Sequence, residues 1–242
     1  MEKFTSIESL KHIVANVRKH YNKIGKPFPT LNFKGTVKLH GTNAGVRRTP
    51  SGKIQPQSRE RILDITSDNY GFAFFIETNK FIVEQLFSDF PKDADVTLYG
   101  EWCGGNIQPS VALTQVPKHW VLFAVKVDGV YQPLPVDICA NEVNIYNIGQ
   151  IPSYHVEIDF LSPEPASEIL ADLTLTVEKE CPWVKFIYES SIKECVYNTD
   201  RIDWMNVPAL LPQKLKEIEN NIFEYGKLNN LKDGDKLTFE VL

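Results

Sequence analysis

No apolar run in this 242-residue chain approaches the roughly 20 residues that a membrane-spanning helix needs. The N-terminus, Met1-Glu2-Lys3-Phe4-Thr5, lacks the charged-then-apolar layout of a secretory signal, so a soluble protein of the cytoplasm, or of a host cytoplasm, is expected. Cysteine is scarce: Cys103, Cys139, Cys181 and Cys195 include no C-x-x-C pair. That disfavours both a disulfide framework and a zinc site and leaves free thiols, buried or incidental. A surplus of positive charge is also missing. The formal net charge of −5 argues against a uniformly basic, histone-like binder, although a local basic groove can sit on an acidic protein. The chain contains no internal repeat, no low-complexity tract and no obvious linker.

What is present is globular composition, 43% apolar and 24% charged, with length for one large domain or one domain plus a small appendage. Thr5 followed by Glu8 fits a capping box. Ile7, Leu10, Ile13, Val14 and Val17 then recur at helical spacing, which predicts a helix ending in the basic turn Arg18-Lys19-His20. From Leu31 to Arg48 the pattern is strand-like, broken at His40-Gly41-Thr42-Asn43. A helix is predicted over 71–90, buried strands over 96–99 and 120–127, and a hairpin turn at Asp128-Gly129 leading into 130–136. Ser162 as cap and Pro163 at the first position begin a helix through about Leu173, and a last helix spans about 213–225. Strands mixed with helices, without regular alternation, indicate an α+β domain built on antiparallel sheet.

The stretch Thr36-Val37-Lys38-Leu39-His40-Gly41-Thr42-Asn43 places a lysine at a strand break. A lysine attacks phosphorus only when unprotonated, a state favoured by partial burial and by cationic neighbours. Gly41 allows close backbone approach to a ligand, and His40 and Asn43 offer hydrogen bonds. A surface lysine in a β-turn is the competing reading. Further along, Gln57-Ser58-Arg59 supplies an arginine beside a hydroxyl, suited to phosphate or to a strand terminus. Glu101 sits in Tyr99-Gly100-Glu101-Trp102-Cys103-Gly104-Gly105, at the end of an apolar strand, and Phe123 lies in a strand where its ring could rest on a purine. A surface salt bridge for Glu101, core packing for Phe123 and a local hydrogen bond for His40 are the plainer alternatives.

Lys38-Leu39-His40-Gly41-Thr42-Asn43 matches the K-x-H-G-[TS]-N nucleotidyl-lysine motif, and the chain resembles ATP-dependent RNA ligases of the bacteriophage RNA ligase 2 type. Gln57-Ser58-Arg59, Gly100-Glu101-Trp102-Cys103-Gly104 running into Ile107-Gln108, and Phe123-Ala124-Val125-Lys126-Val127 resemble the family's next three elements in order. Val177-Glu178-Lys179-Glu180-Cys181-Pro182 is similar to a stretch of bacterial and phage members, and the likeness covers roughly residues 30 to 185. It implies one nucleotidyltransferase (adenylation) domain over residues 1–242, ATP-grasp-like, with an antiparallel sheet, peripheral helices and little or no separate C-terminal domain.

The resemblance further implies that Lys38 forms a lysyl-AMP intermediate from ATP, that the AMP passes to a 5′-phosphate, and that a 3′-hydroxyl then seals the RNA break. Glu101 would hold the ribose, Phe123 would stack on adenine, and Arg59 would contact phosphate or the nucleic-acid end. Val37, His40 and Asn43 would line the nucleotide pocket. For the fourth motif the best match is Ile192-Lys193-Glu194-Cys195-Val196-Tyr197, with Glu194 positioning Mg²⁺ (or Mn²⁺) and Cys195 standing where the family has glycine. For the fifth, a K-x-K strand, Lys214-Leu215-Lys216 fits the pattern, while its surroundings read equally as a solvated helix; Lys185 and Lys236 are lesser candidates. Expected partners are nicked duplex or structured RNA ends and, for substrate recognition, a protein partner. A degenerate ligase-like nucleotide or RNA-end binder, or an enzyme that only adenylates, is the alternative reading.

Overall fold

Two strands, Val96–Cys103 and His119–Val127, are buried along most of their length, and the rest of the molecule is arranged around them. The computed structural model describes residues 1–189, 192–205 and 212–240, without the side chains of 188, 189, 192–194, 214 and 238–240. In chain order the elements are α1 (Leu10–Ile24), β1 (Thr30–Gly35), β2 (Thr42–Arg48), β3 (Ile54–Ser58), α2 (Phe72–Thr78), α3 (Lys80–Gln85), β4 (Val96–Cys103), β5 (His119–Val127), β6 (Val130–Gln132), β7 (Ile145–Asn147), β8 (Tyr154–Asp159), α4 (Glu164–Glu180), α5 (Pro182–Glu189), β9 (Ile192–Tyr197), β10 (Ile202–Trp204), α6 (Pro212–Leu228) and β11 (Asp235–Glu240). The class is α+β. All strand pairs are antiparallel except β5 with β7, among the described residues.

The central sheet has the order β3-β2-β4-β5-β6, with β7 alongside β5. One of its faces packs Val46, Leu98, Trp102, Trp120, Leu122 and Val125 against Phe72, Ala73 and Ile76 of α2 and Val83 of α3. Alternation along the strands, apolar toward this core, explains why the segment reads so plainly. At the end of the opposite face, Leu39, Cys103 and Val121 pack with Trp183, Val184 and Ile187 of α5. His119 pins that corner. Its Nδ1 lies 2.7 Å from the Pro117 carbonyl, its Nε2 accepts from the Trp183 indole at 2.8 Å, and Cys103 Sγ is 3.2 Å away. Burial pushes the imidazole down to about 4, so it is neutral at physiological pH, with Nδ1 carrying the hydrogen.

Two smaller units flank the sheet. The β1–β8 ribbon packs Val156, Ile158 and Phe160 against Leu10, Ile13, Val14 and Val17 of α1 and Ala166, Leu170 and Leu173 of α4. The sheet β10-β9-β11 packs Cys195 and Tyr197 against Ile218, Ile222 and Phe223 of α6.

Several expected boundaries moved. Helix α1 begins at Leu10, not near Thr5, and runs through Arg18-Lys19-His20 to a left-handed Gly25. Arg18 is drawn inward, donating to the Phe160 and Leu161 carbonyls at 2.7 Å each. The expected helix over 71–90 is two short helices interrupted at Asn79, and α4 continues past Leu173 to Glu180. The run from Leu31 to Arg48 is two strands in different sheets, because β1 finds its partner in β8 rather than in its neighbour β2. All four cysteines are free.

Candidate functional site

Residues 36–41 have no regular structure and bridge the ribbon to the central sheet. Within them Val37 and Leu39 pack into the cluster around Val121 and Trp183. Apolar anchors two residues apart turn the residue between them outward, and Lys38 and His40 are both exposed. Lys38 is thus held by its neighbours without being buried itself.

Gly41 explains why the loop runs here. Its amide donates to Glu101 Oε1 at 3.0 Å, and its carbonyl accepts from Gln108 Nε2 at 3.1 Å. A Cβ at this position would stand 2.3 Å from the Trp102 carbonyl oxygen and 2.6 Å from Cys103 Cβ. Only glycine lets the loop lie this close to β4.

Glu101 is therefore a loop anchor on β4, half-buried, directly opposite Asn43 of β2 and Val121 of β5. Burial raises its carboxyl above the ordinary range, while the Gly41 amide and the charge of Lys38 oppose the rise. A raised folded-state value means that the folded protein keeps the proton to higher pH than the unfolded chain. Stability contributed by this group is full below the ordinary carboxylate range and is lost as pH rises through the folded value. Glu101→Gln is accordingly expected to raise the melting temperature at pH 7, with the gain vanishing near pH 4; a gain that grows toward acid would contradict the burial argument.

Phe123 owes its position to a bulge. Tyr99 pairs with Ala124 and Gly100 with Leu122, which leaves Phe123 without a cross-strand partner. Bulges of this kind re-aim a side chain. The Phe123 ring meets Phe4 edge-on at 5.1 Å, and Phe4 also contacts Tyr99 at 5.3 Å and Tyr131 at 5.8 Å.

Phe4 belongs to an N-terminal strap that sequence reasoning missed. Glu2 and Gln57 exchange two hydrogen bonds, at 3.2 Å and 2.6 Å. Tyr99 donates to the Glu2 carbonyl at 3.1 Å, and the Glu2 carboxylate pairs with Lys126 at 2.8 Å. The Thr5 amide and hydroxyl both reach Tyr131 Oη. This is why the capping box at Thr5 and Glu8 does not form: the strap holds Thr5 on β6, while Glu8 pairs with His12. Each edge contact in the ring cluster adds roughly 0.5–1.5 kcal/mol. Phe4→Ala is therefore expected to lower the melting temperature by roughly 5–10 °C by calorimetry; an unchanged value would mean that the strap is not held by its ring.

The remaining expected residues divide. Arg59 lies just beyond β3, exposed, with its guanidinium 3.5 Å from Ser6 Oγ of the strap. The neighbouring Ser58 hydroxyl is used in the local turn to Arg61. Glu194 lies on β9, with its side chain outside the described residues; Cys195 is fully buried in the core of that small sheet. Lys214-Leu215-Lys216 is not a strand. It opens helix α6, whose Ile218, Ile222 and Phe223 seek the core at helical spacing. Lys216 is exposed, and the Lys214 side chain lies outside the described residues. Lys185 lies on α5, and Lys236 is exposed on β11 beside β9. No group of three or more His, Cys, Asp or Glu side chains that could hold a metal occurs among the described residues.

The structure thus brings together Val37, Lys38, His40, Asn43 and Glu101 at one end of β2 and β4, with Phe123 further along the sheet. No curated protein matches the chain. The family model described as RNA ligase matches residues 32–224, from the ribbon that precedes Lys38 through most of α6, and the chain belongs to the RNA ligase family.

Proposed function

We propose that the protein is an ATP-dependent RNA ligase of the bacteriophage RNA ligase 2 type, which captures AMP on Lys38 and joins 3′-OH and 5′-phosphate RNA ends. The observation that carries the reading is the Gly41–Glu101 hydrogen bond, which ties the lysine loop to the carboxylate strand and keeps Lys38 between the half-buried Val37 and the buried Leu39. In the reaction, the unprotonated Lys38 Nζ attacks the α-phosphorus of ATP; the N–P bond forms, the P–O bond to pyrophosphate breaks, and the amine loses a proton. A 5′-phosphate oxygen then displaces Lys38, and a 3′-hydroxyl finally displaces AMP.

Glu101 accepts a ribose hydroxyl through the carboxylate edge left beside the Gly41 bond. Phe123, aimed by its bulge, offers a ring to adenine, a contact of roughly 1–3 kcal/mol. Arg59 and His40 meet phosphate oxygens. A divalent cation such as Mg²⁺ neutralises the phosphates when bound, and Mg²⁺ is commonly held by only one or two carboxylates plus substrate oxygens; Glu194 is the carboxylate proposed for it. The test is incubation of the full chain with α-labelled ATP and Mg²⁺, followed by a nicked duplex RNA. Labelled protein that transfers its label to the 5′-phosphate end and then seals the nick is expected; absence of any adduct sinks the reading.

One observation favours a narrower activity. With Lys214 and Lys216 on a helix, the paired lysines expected near the α-phosphate are not arranged as the resemblance implies. An adenylating enzyme that leaves sealing to a partner, or a ligase-like binder of nucleotide or RNA ends, would show adduct or binding without sealing. Efficient closure of a pre-adenylated nick excludes both.

A further inference from the structure

Charge is distributed very unevenly along this acidic chain. From Lys11 through Arg59 there are eleven lysines and arginines, both ends counted, and not one aspartate or glutamate, although the protein holds 31 acidic residues in all. Several of these cations are structural. Arg47 pairs with Asp95, and Arg18 and Arg48 donate to backbone carbonyls. The lysines of α1 are different. Leu10, Ile13, Val14 and Val17 of this helix face the core of the ribbon unit. By helical periodicity Lys11, Ala15, Lys19 and Lys23 form a row on the opposite side. Lys11, Lys19 and Lys23 are exposed and enter no ion pair among the described residues.

A solvated helix face ordinarily mixes signs, because i,i+4 pairs of opposite charge add stability. The other helices show that habit or its reverse. Helix α6 carries both signs, and α4, packed into the same core as α1, bears Glu164, Glu168, Asp172, Glu178 and Glu180 against a single lysine. Helix α1 bears four lysines and arginines and no acid, with Glu8 outside its start the nearest acid in sequence. Lys23 also complements the C-terminal helix dipole, which accounts for one of the three lysines but not for Lys11 or Lys19.

We infer that the outer face of α1 is a docking surface for the phosphate backbone of the RNA substrate. It rests on the ligase reading above for the identity of the polyanion. The row covers about 18 Å of helix axis, long enough to follow several consecutive phosphates. Ala15 and Asn22, small and uncharged, lie beside the lysines and let the backbone approach. An anionic membrane fits less well, because the apolar residues that would enter lipid are already spent on the ribbon core. The grip would lie within the same chain, in place of the protein partner expected for substrate recognition.

The experiment measures binding of a nicked duplex RNA by fluorescence anisotropy across salt concentrations. It compares the full chain with the Lys11→Ala, Lys19→Ala, Lys23→Ala triple variant, with Lys19→Glu alone, and with a control changed at Lys227 and Lys232. Each lost phosphate contact removes close to one from the slope of log affinity against log salt. The triple variant is expected to lose about two to three from that slope and to bind at least about tenfold more weakly at low salt, with Lys19→Glu also weaker and the control unchanged. Labelled lysyl-AMP formation is expected to be equal in all four. Unchanged slope and affinity, or equal weakening in the control, overturns the inference. So does loss of binding to phosphatidylserine vesicles with RNA binding intact. Failure of the wild type to form the adduct would instead overturn the ligase reading.

Discussion

Lys38→Ala is expected to form no labelled adduct from α-labelled ATP, and Lys38→Arg is expected to fare no better. A guanidinium is charged at any accessible pH and cannot present a free pair to phosphorus. Removal of a covalent nucleophile costs on the order of 10⁴-fold or more in rate, so the band should fall below detection. The fold should survive, because Lys38 is exposed while Val37 and Leu39 hold the loop; melting temperatures within about 2 °C of wild type would establish that. A pre-adenylated nicked RNA separates the steps. It bypasses AMP capture, so both variants should retain any sealing that the wild type shows on it. An adduct of undiminished intensity in Lys38→Ala would relocate the nucleophile, with Lys185 and Lys236 the next lysines to test. An adduct absent from the wild type as well would leave Lys38 as a loop residue held out by its neighbours.

The parts of this site that were legible in the sequence are those encoded over a few consecutive residues. The unbroken apolar run from Trp120 to Val125 announced β5 as a buried strand, and Lys38 to Asn43 marked the irregular loop, although the break in regular structure falls at 36–41 rather than at 40–43. What escaped was written at long range. The partner of β1 is β8, so Leu31 lies opposite Ile158, a pairing that no local pattern reveals. Thr5 and Glu8 satisfied the capping-box pattern, yet the packing of Phe4 against Tyr99, Phe123 and Tyr131 took the strap away from the helix. Only the presence of an aromatic in an otherwise polar N-terminus hinted at this. The bulge at Phe123 was equally silent, since it depends on how two strands register across Gly100. At Lys214-Leu215-Lys216 the local pattern admitted strand and helix alike, and packing of Ile218 and Ile222 decided for helix.

The same glycine supplies the largest expected effect on stability. Gly100 lies between Ala44 and Leu122 in the central sheet, and the indole of Trp120 crosses over it to donate to the Ala44 carbonyl at 3.2 Å. A Cβ at residue 100 would stand 2.3 Å from that indole nitrogen and 2.6 Å from the Val121 carbonyl oxygen. Neither neighbour can yield cheaply, because Val121 O is backbone and Trp120 is fully buried, with its ring edge-on to Phe72 at 5.3 Å. Overpacking of this kind costs about 1–3 kcal/mol. A buried N–H left without its acceptor adds about 1–3 kcal/mol more. Gly100→Ala is therefore expected to lose about 3–5 kcal/mol and to melt roughly 10 °C below wild type. Gly35→Ala is the control: its Cβ would meet only the Tyr154 carbonyl at 3.9 Å, so its melting temperature should stay within about 1 °C. The Gly100 variant should also lose adduct formation more steeply than stability alone explains, because displaced Trp120 shifts the strand that carries both Phe123 and the register opposite Glu101. Equal melting of the two variants would mean that the sheet relaxes around the added methyl, and the close approach of Trp120 would then not be what keeps β4 and β5 in place.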